Sequence, residues 1–177
     1  MPENEVIRAI MTRRSVRAFT DDPVDRSILE TLVKAGYHAP SGKNLQTWRF
    51  TVITDKAVIE TIKETGTAVA AREKTGFHGF QNPAALILIT NDTRNDNGAL
   101  DSACAAENIL VAAHALGLGA CWLNGLTRIS GQPEVRELLD SLSVPKTHAV
   151  WAMIAVGYPA AEARPVMRKE KVVCWVE

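Results

Sequence analysis

The sequence predicts an α+β fold, in which helices pack on a small sheet. Two observations lead to this prediction. Several segments repeat apolar residues at helical spacing, and short runs of β-forming residues lie between them. The chain has 177 residues, of which 46% are hydrophobic and 23% charged, a composition typical of one globular domain with its own core. We therefore expect a single domain over residues 1–177.

The first elements follow from periodicity and from the residues that end helices. Residues 3–12 repeat apolar side chains at helical spacing, and Asp25 is a suitable N-cap for a second helix. Glycines and a proline between residues 36 and 42 end that helix. Residues 48–54 are rich in β-formers and predict a strand, and residues 56–64 predict a third helix.

The middle of the chain contains its most informative helix. Residues 65–83 show no clear pattern and are a candidate mobile flap, whereas the unbroken apolar run at 84–90 predicts a central strand. Residues 98–116 form a helix with only a narrow polar strip, which must be buried on nearly all sides. A domain this small seldom surrounds such a helix alone, so we expect it in a dimer interface. A central helix in a monomer is the alternative.

The C-terminal third predicts short elements that complete the sheet. Residues 120–123 read as a short strand after the glycines that end the long helix, and residues 133–139 as a helix. Residues 149–156 form another apolar strand that runs into a Gly-Tyr-Pro turn. A last short strand is predicted at 172–176, beyond a basic tail.

Charge and cysteine content limit the function classes. Twenty basic side chains match twenty acidic ones, so no overall field favours a nucleic acid and any anion site must be local. Neither a secretory signal nor a membrane span is evident in the sequence. Cys104, Cys121 and Cys174 are widely spaced without a CxxC pair, which argues against a disulfide framework and a metal site. We expect buried thiols in a reducing cytoplasm.

The stretch RRSVR at residues 13–17 is a candidate anion site. In an extended chain Arg13, Ser15 and Arg17 point the same way, and arginine presents a planar fork suited to phosphate oxygens. A solvated basic face is the alternative. A second basic group that could converge on the same anion lies in the tail: Arg164, Arg168 and Lys169.

The stretch APSGKNLQTW at residues 39–48 is a candidate binding loop. Pro40, Ser41 and Gly42 favour a turn with exposed backbone donors. The side-chain amides of Asn44 and Gln46 both donate and accept, which suits the edge of a heterocycle. Because these residue types are common in loops, an ordinary turn is the alternative.

Four motifs in register resemble the nitroreductase family of flavin enzymes. They are RRSVRAF, APSGKNLQTWRF, DSACAAENILVAAHALGLGACWLNG, and GYP followed by a basic tail, and together they span about residues 6–173. The resemblance implies a nitroreductase-like fold with a central, mostly antiparallel sheet flanked by helices. It also implies an intertwined homodimer that binds FMN at the subunit interface.

The resemblance assigns roles to residues of both candidate sites. Arg13 and Ser15 would hold the FMN phosphate, assisted by Arg168 or Lys169, and Arg17 would lie near the pyrimidine end of the flavin. The loop at 40–46 would come from the other subunit. The implied FMN-binding set is Arg13, Arg14, Ser15, Arg17, Pro40, Ser41, Gly42, Asn44, Gln46, Leu123, Asn124, Gly125, Arg168 and Lys169.

No side chain is assigned a catalytic role, since hydride transfer is the cofactor's own chemistry. The resemblance implies a backbone donor to flavin N5 from Asn124 or Gly125. Many relatives have an acidic residue where Asn124 falls, but a backbone donor survives that difference. Phe77, His78 and Phe80 are candidates for the substrate side of the flavin, with ordinary packing as the alternative.

The implied activity is FMN-dependent reduction of nitroaromatics, quinones or a related small acceptor by NADH or NADPH in a ping-pong scheme. Two alternatives stay open. The same fold could carry different flavin chemistry, such as reductive dehalogenation, enone reduction or flavin fragmentation. The protein could instead bind or store FMN without turnover.

Overall fold

The computed structural model describes residues 4–77, 79–163, 166–169 and 172–177. These residues form five α-helices: α1 (Glu5–Thr12), α2 (Arg26–Tyr37), α3 (Lys56–Arg72), α4 (Gly98–Ala115) and α5 (Pro133–Ser141). They also form four strands: β1 (Trp48–Ile53), β2 (Ala85–Asp92), β3 (Gly119–Leu123) and β4 (His148–Gly157). Two single-turn 3₁₀ helices lie at Gly42–Asn44 and Leu126–Arg128.

The four strands form one antiparallel sheet in the order β1-β2-β4-β3. Every residue of β2 is buried, as expected for a central strand whose side chains are apolar on both faces. The strands β1 and β3 form the two edges. The structure confirms the predicted α+β fold and its mostly antiparallel sheet.

Successive side chains of β2 point into two separate cores on opposite faces of the sheet. Leu86 and Leu88 belong to a core with α3 and α5, and Ile87 and Ile89 belong to a core with α2 and α4. The sheet is therefore covered by helices on both faces, and its two edges remain for other contacts.

The RRSVR segment is extended, the conformation in which Arg13, Ser15 and Arg17 point the same way, and it lies beside β3. Ser15 forms a parallel bridge with Ala120, and the Val16 amide donates to the Ala120 carbonyl at 3.0 Å. Further along, the Arg17 carbonyl accepts from the Gln81 amide at 2.9 Å. Backbone hydrogen bonds therefore fix this segment against the β3 edge.

The predicted flap is partly wrong, because α3 continues through residues 65–72 to Arg72. Gly66 and two threonines weaken the helical pattern there. The glycine has a packing reason, since a Cβ at Gly66 would lie 2.3 Å from the Phe77 ring. Burial of Val69 and Ala70 then holds the added turns in place.

The predicted strand at residues 172–176 is absent from this chain, where the described residues 172–177 are exposed and irregular. A strand needs a neighbouring strand for its hydrogen bonds, and this segment has none within the described part of the chain. The expectation of three buried thiols is also wrong, because Cys104 and Cys174 are exposed and only Cys121 is buried. The exposed pair lies on α4 and in the tail.

The apolar helix α4 is not covered on all sides within one chain. Leu100 is 67% exposed, and Leu116 just beyond the helix is 48% exposed. The apolar side chains of α1 are exposed as well, among them Val6 and Met11. No helix in the described ranges combines the length and apolar character needed to cross a membrane.

Candidate functional site

The two basic clusters of the sequence meet in one cavity of about 530 Å³. Its lining is Arg13, Arg14, Ser15, Arg17, Val166 and Arg168. Lys169 is exposed next to this lining, and Arg164 lies outside the described residues. Four guanidinium groups around one cavity make it suitable for a multiply charged anion.

Arg13 has a side-chain donor that its described surroundings leave unpaired. Its side chain is only 20% exposed, and its nearest carboxylate, Glu107 on α4, is 3.4 Å from Nη2. The Nε donor of Arg13 is buried and has no hydrogen-bond partner among the described residues. An unpaired buried donor is unfavourable, and Arg13 lines the cavity, so an anion there would meet a guanidinium with spare donor capacity.

The other residues of the RRSVR segment differ in exposure and in how many of their hydrogen-bond donors are already used. Arg14 donates from Nη1 to the carbonyls of Met11, at 3.0 Å, and of Arg13, at 2.7 Å, so part of its donor capacity is used within the backbone. Arg17 is exposed. Ser15 lies beside β3, where its backbone pairs with Ala120.

The cavity has a buried thiol beneath it. Burial raises the pKa of the Cys121 thiol, while the charge of Arg17, the Ser15 hydroxyl and the charge of Arg13 act in the opposite direction. The thiol is therefore protonated at neutral pH and adds no negative charge beneath the arginines. The site keeps its positive field for a ligand.

Leu123, Asn124 and Gly125 lie at and just beyond the end of β3, the strand whose Ala120 pairs with Ser15. Leu123 is buried in the core, Asn124 is exposed and Gly125 is buried. Gly125 has φ −55° and ψ −51°, which any residue can adopt, so its backbone conformation does not require glycine. Glycine is required instead by the limited space, since a Cβ at this position would lie 2.3 Å from the Phe77 ring.

The candidates Phe77, His78 and Phe80 have different surroundings. Phe80 is 3% exposed within the core formed with α3 and α5, so its role is packing. Phe77 lies between Gly66 and Gly125, against the backbone expected to face the flavin. His78 lies outside the described residues.

The second candidate loop, residues 40–46, lies near the start of β1 and of α4. The Gly42 amide donates to Asp101 Oδ1 at 2.8 Å, which ties the loop to the first turn of α4. The Gln46 amide Nε2 donates to Asn44 Oδ1 at 2.8 Å, so these two side chains pair with each other. Pro40 is exposed and Ser41 is half-buried.

The two candidate sites lie at opposite edges of the sheet and do not meet within one chain. Strand pairings place Ser15 level with Ala85 at the start of β2, and Trp48, just after the loop, level with Asn91 near its end. Four strand spacings across the sheet and about 20 Å along the strands separate Ser15 from Trp48, a distance of roughly 28 Å. One mononucleotide cannot touch both segments of the same chain.

The fold and the cavity define a class: an α+β protein with a two-sided core and an arginine-lined anion site at one sheet edge. The family model described as "Nitroreductase family" matches residues 10–158, so the chain belongs to the nitroreductase family. This confirms the resemblance found in the four motifs.

Individual relatives agree with this family. A relative from Archaeoglobus fulgidus, described as a candidate NADH dehydrogenase/NAD(P)H nitroreductase, is 31% identical over 163 residues, which cover 89% of this chain and 87% of its own length. An NADPH-flavin oxidoreductase of Vibrio harveyi is 30% identical over 88% of this chain and 66% of its own length. A nitroreductase crystal structure with bound FMN from Bacteroides fragilis NCTC 9343 has 32% identity and a TM-score of 0.90, covering 99% of this chain and 100% of its own.

Sequence reasoning missed several polar residues around the candidate loop. Asn91, Asp92, Asp101 and Ser102 are buried, although residues 91–98 have the composition of a polar turn. The available signal was Asp101 itself, a carboxylate in the first turn of an otherwise apolar helix. Glu107, the partner of Arg13, was also missed, because a contact 94 positions away leaves no local pattern.

Proposed function

We propose that this protein is an FMN-dependent NAD(P)H oxidoreductase that reduces nitroaromatics, quinones or related small acceptors. The observation that carries the proposal is the cavity that Arg13, Ser15 and Arg168 line together, in which Arg13 keeps spare donor capacity. A phosphate monoester there would accept from the guanidinium groups and neutralise the surrounding charge. The relatives named as flavin oxidoreductases or solved with FMN supply the identity of that phosphate.

The residues present fit the implied cofactor. Arg13, Ser15 and Arg168 hold its phosphate, with Lys169 adjacent, and Arg14 supports the segment through its bonds to backbone carbonyls. Arg17 places positive charge further along the same extended segment. The backbone of Asn124 and Gly125, at the end of β3, faces the flavin ring.

The chemistry that FMN supplies is hydride acceptance from a reduced nicotinamide and electron delivery to a second, oxidised substrate. The chain's own part is binding and orientation. Arg17 keeps positive charge near the pyrimidine end, where negative charge develops on reduction. Asn124 and Gly125 offer a backbone donor whose position is fixed by the packing of Phe77 on Gly125.

A homodimer completes the site in this proposal. Loop 40–46 leads into Trp48, which lies roughly 28 Å from Ser15 in its own chain by the strand spacings of the sheet, so the loop reaches the flavin that the partner subunit binds. The apolar side chains exposed on α1 and beside α4 supply the interface, because exposed patches of this kind mark protein contacts.

The C-terminal tail makes the dimer intertwined. Val172, Val173, Trp175 and Val176 are exposed in this chain, with Trp175 at 82%. An apolar groove of about 720 Å³ lies between α2 and β1, lined by residues that include Val33, Tyr37 and Val52. The strand β1 is an edge with free backbone groups. The tail of the partner chain pairs with this edge and covers the groove.

In this proposal the whole chain, residues 1–177, acts as one FMN-binding domain. The protein works in the cytoplasm, where its three free cysteines stay reduced.

The experiment that tests the proposal is the visible spectrum of the purified protein, followed by titration with NADH and with NADPH. We expect bound oxidised flavin that bleaches on addition of at least one nicotinamide and recovers its colour with a nitroaromatic or quinone. Flavin that binds but never bleaches would support the storage alternative. A colourless protein that ignores added FMN would overturn the proposal.

A matched pair of variants assigns the cavity. Arg13→Ala should weaken FMN binding about 10- to 100-fold, because charge-assisted hydrogen bonds contribute roughly 1.5–3 kcal/mol. Lys146→Ala, at an exposed lysine before β4 and outside the cavity, is the control and should leave affinity unchanged. Unchanged affinity in Arg13→Ala removes Arg13 from the site.

A further inference from the structure

Loop 40–46 has a backbone that its residues do not favour. Lys43, Asn44 and Gln46 have φ values of 53°, 53° and 49°. This left-handed region is disfavoured for residues with a Cβ, and Asn tolerates it better than Lys or Gln. Three such residues in four positions persist only where the surrounding structure determines them. The loop therefore depends on its anchors.

One carboxylate anchors the start of the loop. Asp101, in the first turn of α4, is 4% exposed, and its Oδ1 accepts from the Gly42 amide at 2.8 Å. Its other oxygen, Oδ2, accepts from Asn95 Nδ2 at 3.0 Å. Both oxygens of the buried Asp101 carboxylate therefore accept hydrogen bonds, one of them from the loop backbone.

The same network anchors the end of the loop. Asn95 Nδ2 also donates to Thr47 Oγ1 at 2.8 Å, and the Thr47 hydroxyl donates to Asn91 Oδ1 at 2.6 Å. Asn91 is fully buried and lies near the end of β2. Asp101 therefore links Gly42 and Thr47, the residues that flank the strained positions.

We propose that Asp101 is a positioning residue for the flavin site of the partner subunit, acting by holding loop 40–46 in its strained conformation. This inference rests on the proposed function, in which that loop crosses to the partner's FMN. A loop that already has its bound conformation binds a ligand more tightly than a loop that must become ordered during binding. Asp101 never touches the flavin in this arrangement.

The network explains why a carboxylate stands at this position. Asn at 101 would keep one acceptor for Gly42 but turn its NH₂ group toward the NH₂ group of Asn95. Asn95 cannot simply reverse its amide, because its Oδ1 already accepts from the Asn97 amide at 2.9 Å. Asp101→Asn therefore keeps the shape of the side chain and breaks the link to Thr47. Adding Asn95→Asp restores a donor facing an acceptor between positions 101 and 95, but the new carboxylate can bond Thr47 only by accepting from its hydroxyl, so recovery is partial.

The first test compares FMN affinity, measured by quenching of flavin fluorescence, in Asp101→Asn and wild type. We expect a loss of about 10-fold, the scale of one hydrogen bond to a charged group, with partial recovery in Asp101→Asn/Asn95→Asp. Thr90→Val is the control. Thr90 is fully buried beside Asn91 but bonds Arg49 and His148, and it does not contact the loop.

A second readout does not depend on FMN. Hydrogen exchange of the Gly42 amide in the flavin-free protein should be faster in Asp101→Asn than in wild type and unchanged in Thr90→Val. Asn95→Ala, which leaves the carboxylate bonded to Gly42, should give a smaller loss of FMN affinity. This variant keeps the inference testable if Asp101→Asn folds poorly.

Mixed dimers decide which subunit's flavin Asp101 serves. The first mixed dimer combines one Arg13→Ala chain with one Asp101→Asn chain. If the loop acts across the interface, one of its two sites combines the wild-type Arg13 of one chain with the wild-type Asp101 of the other. That dimer should bind one FMN with wild-type affinity. A double-variant chain paired with a wild-type chain should have no intact site. If Asp101 served its own chain, these two results would be exchanged.

The outcomes separate the two proposals. A wild-type protein that takes up no FMN overturns the proposed function. Wild-type binding together with equal binding by Asp101→Asn overturns only the role of Asp101. The exchanged mixed-dimer pattern overturns the action of Asp101 across the interface.

Discussion

The two edges of the sheet hold their candidate binding segments in different ways. At the β3 edge, residues 13–17 are extended and fixed by backbone hydrogen bonds to Ala120 and Gln81. At the β1 edge, loop 40–46 is strained and is held by buried side chains such as Asp101. Backbone pairing tolerates many side chains, whereas a side-chain network depends on each member. We therefore expect substitutions that preserve shape to leave the backbone of residues 13–17 in place and to disturb the backbone of loop 40–46.

The largest expected effect comes from the tail, which in our proposal joins the β1 edge of the partner. Deletion of residues 172–177 should raise the dimer dissociation constant at least about 100-fold, because each apolar side chain buried contributes roughly 1.5–3 kcal/mol. Analytical ultracentrifugation measures this change. Removal of Glu177 alone is the control. An unaltered dimer after the longer deletion would exclude the tail from the interface.

A methyl group at the end of β3 tests the more rigid side of the comparison. Gly125→Ala places a Cβ 2.3 Å from the Phe77 ring, which has little room to move between two glycines. We expect a loss of about 1–3 kcal/mol in the free energy of unfolding, the scale of overpacking, measured by urea denaturation. Adding Phe77→Leu should recover part of this loss. Equal stabilities of Gly125→Ala and wild type would mean that the ring moves freely.

The matching change at the other edge is Gly42→Ala. Its Cβ would lie 2.4 Å from Asn97 Nδ2, at the end of a side chain that can rotate away. The free energy of unfolding should change less than in Gly125→Ala. The loop should shift, however, and FMN affinity should fall by roughly 3- to 10-fold. Parallel urea and fluorescence titrations of both variants make the comparison. A loss of stability in Gly42→Ala as large as that in Gly125→Ala would contradict it.

Arg14 tests whether every arginine at the β3 edge serves the ligand. Its bonds to the Met11 and Arg13 carbonyls predict that Arg14→Ala lowers the free energy of unfolding by about 1 kcal/mol and changes FMN affinity less than Arg13→Ala does. Fluorescence titration of the two variants side by side gives the ratio. Equal losses of affinity would assign both arginines to the phosphate.

The smallest effect concerns pH near the β1-edge network. Burial lowers the pKa of His148, which contacts Thr90 beside Asn91. The unfolded chain therefore takes up a proton at a higher pH than the folded protein does. Stability from this group is present above about pH 6.5, the ordinary pKa, and is lost as the pH falls below it. Urea denaturation at pH 7.5 and 5.5 should show a decline that is smaller in His148→Gln. An identical decline in His148→Gln would exclude this residue as its source.

Local patterns in the sequence predicted most of the fold. The unbroken apolar run of β2 is a local signal, so the central strand could be foreseen. The extended conformation of RRSVR was a condition of the anion-site hypothesis, which the structure meets. Residues 65–72 could not, because Gly66 reads as a helix breaker until Phe77 is known to pack on it. The strand expected at residues 172–176 does not form within this chain, and its pairing with a partner chain is part of our proposal.

The candidate site was less accessible from sequence, because its contacts join distant residues. The spacing of Arg13 and Arg17 indicated an anion site, but the approach of Arg168 depends on the path of the tail. Asp101 and Asn95 carry no local pattern that links them to loop 40–46. Their common role appears only when the start of α4, the end of β2 and loop 40–46 are brought together.

The separation of the two segments by the width of the sheet has a thermodynamic consequence. If each flavin draws its contacts from two chains, cofactor binding and self-association become linked equilibria, and each favours the other by mass action. Dilution that splits the pair would release the cofactor, and added FMN would hold the pair together. Flavin retention in this protein would then report on protein concentration as well as on cofactor supply.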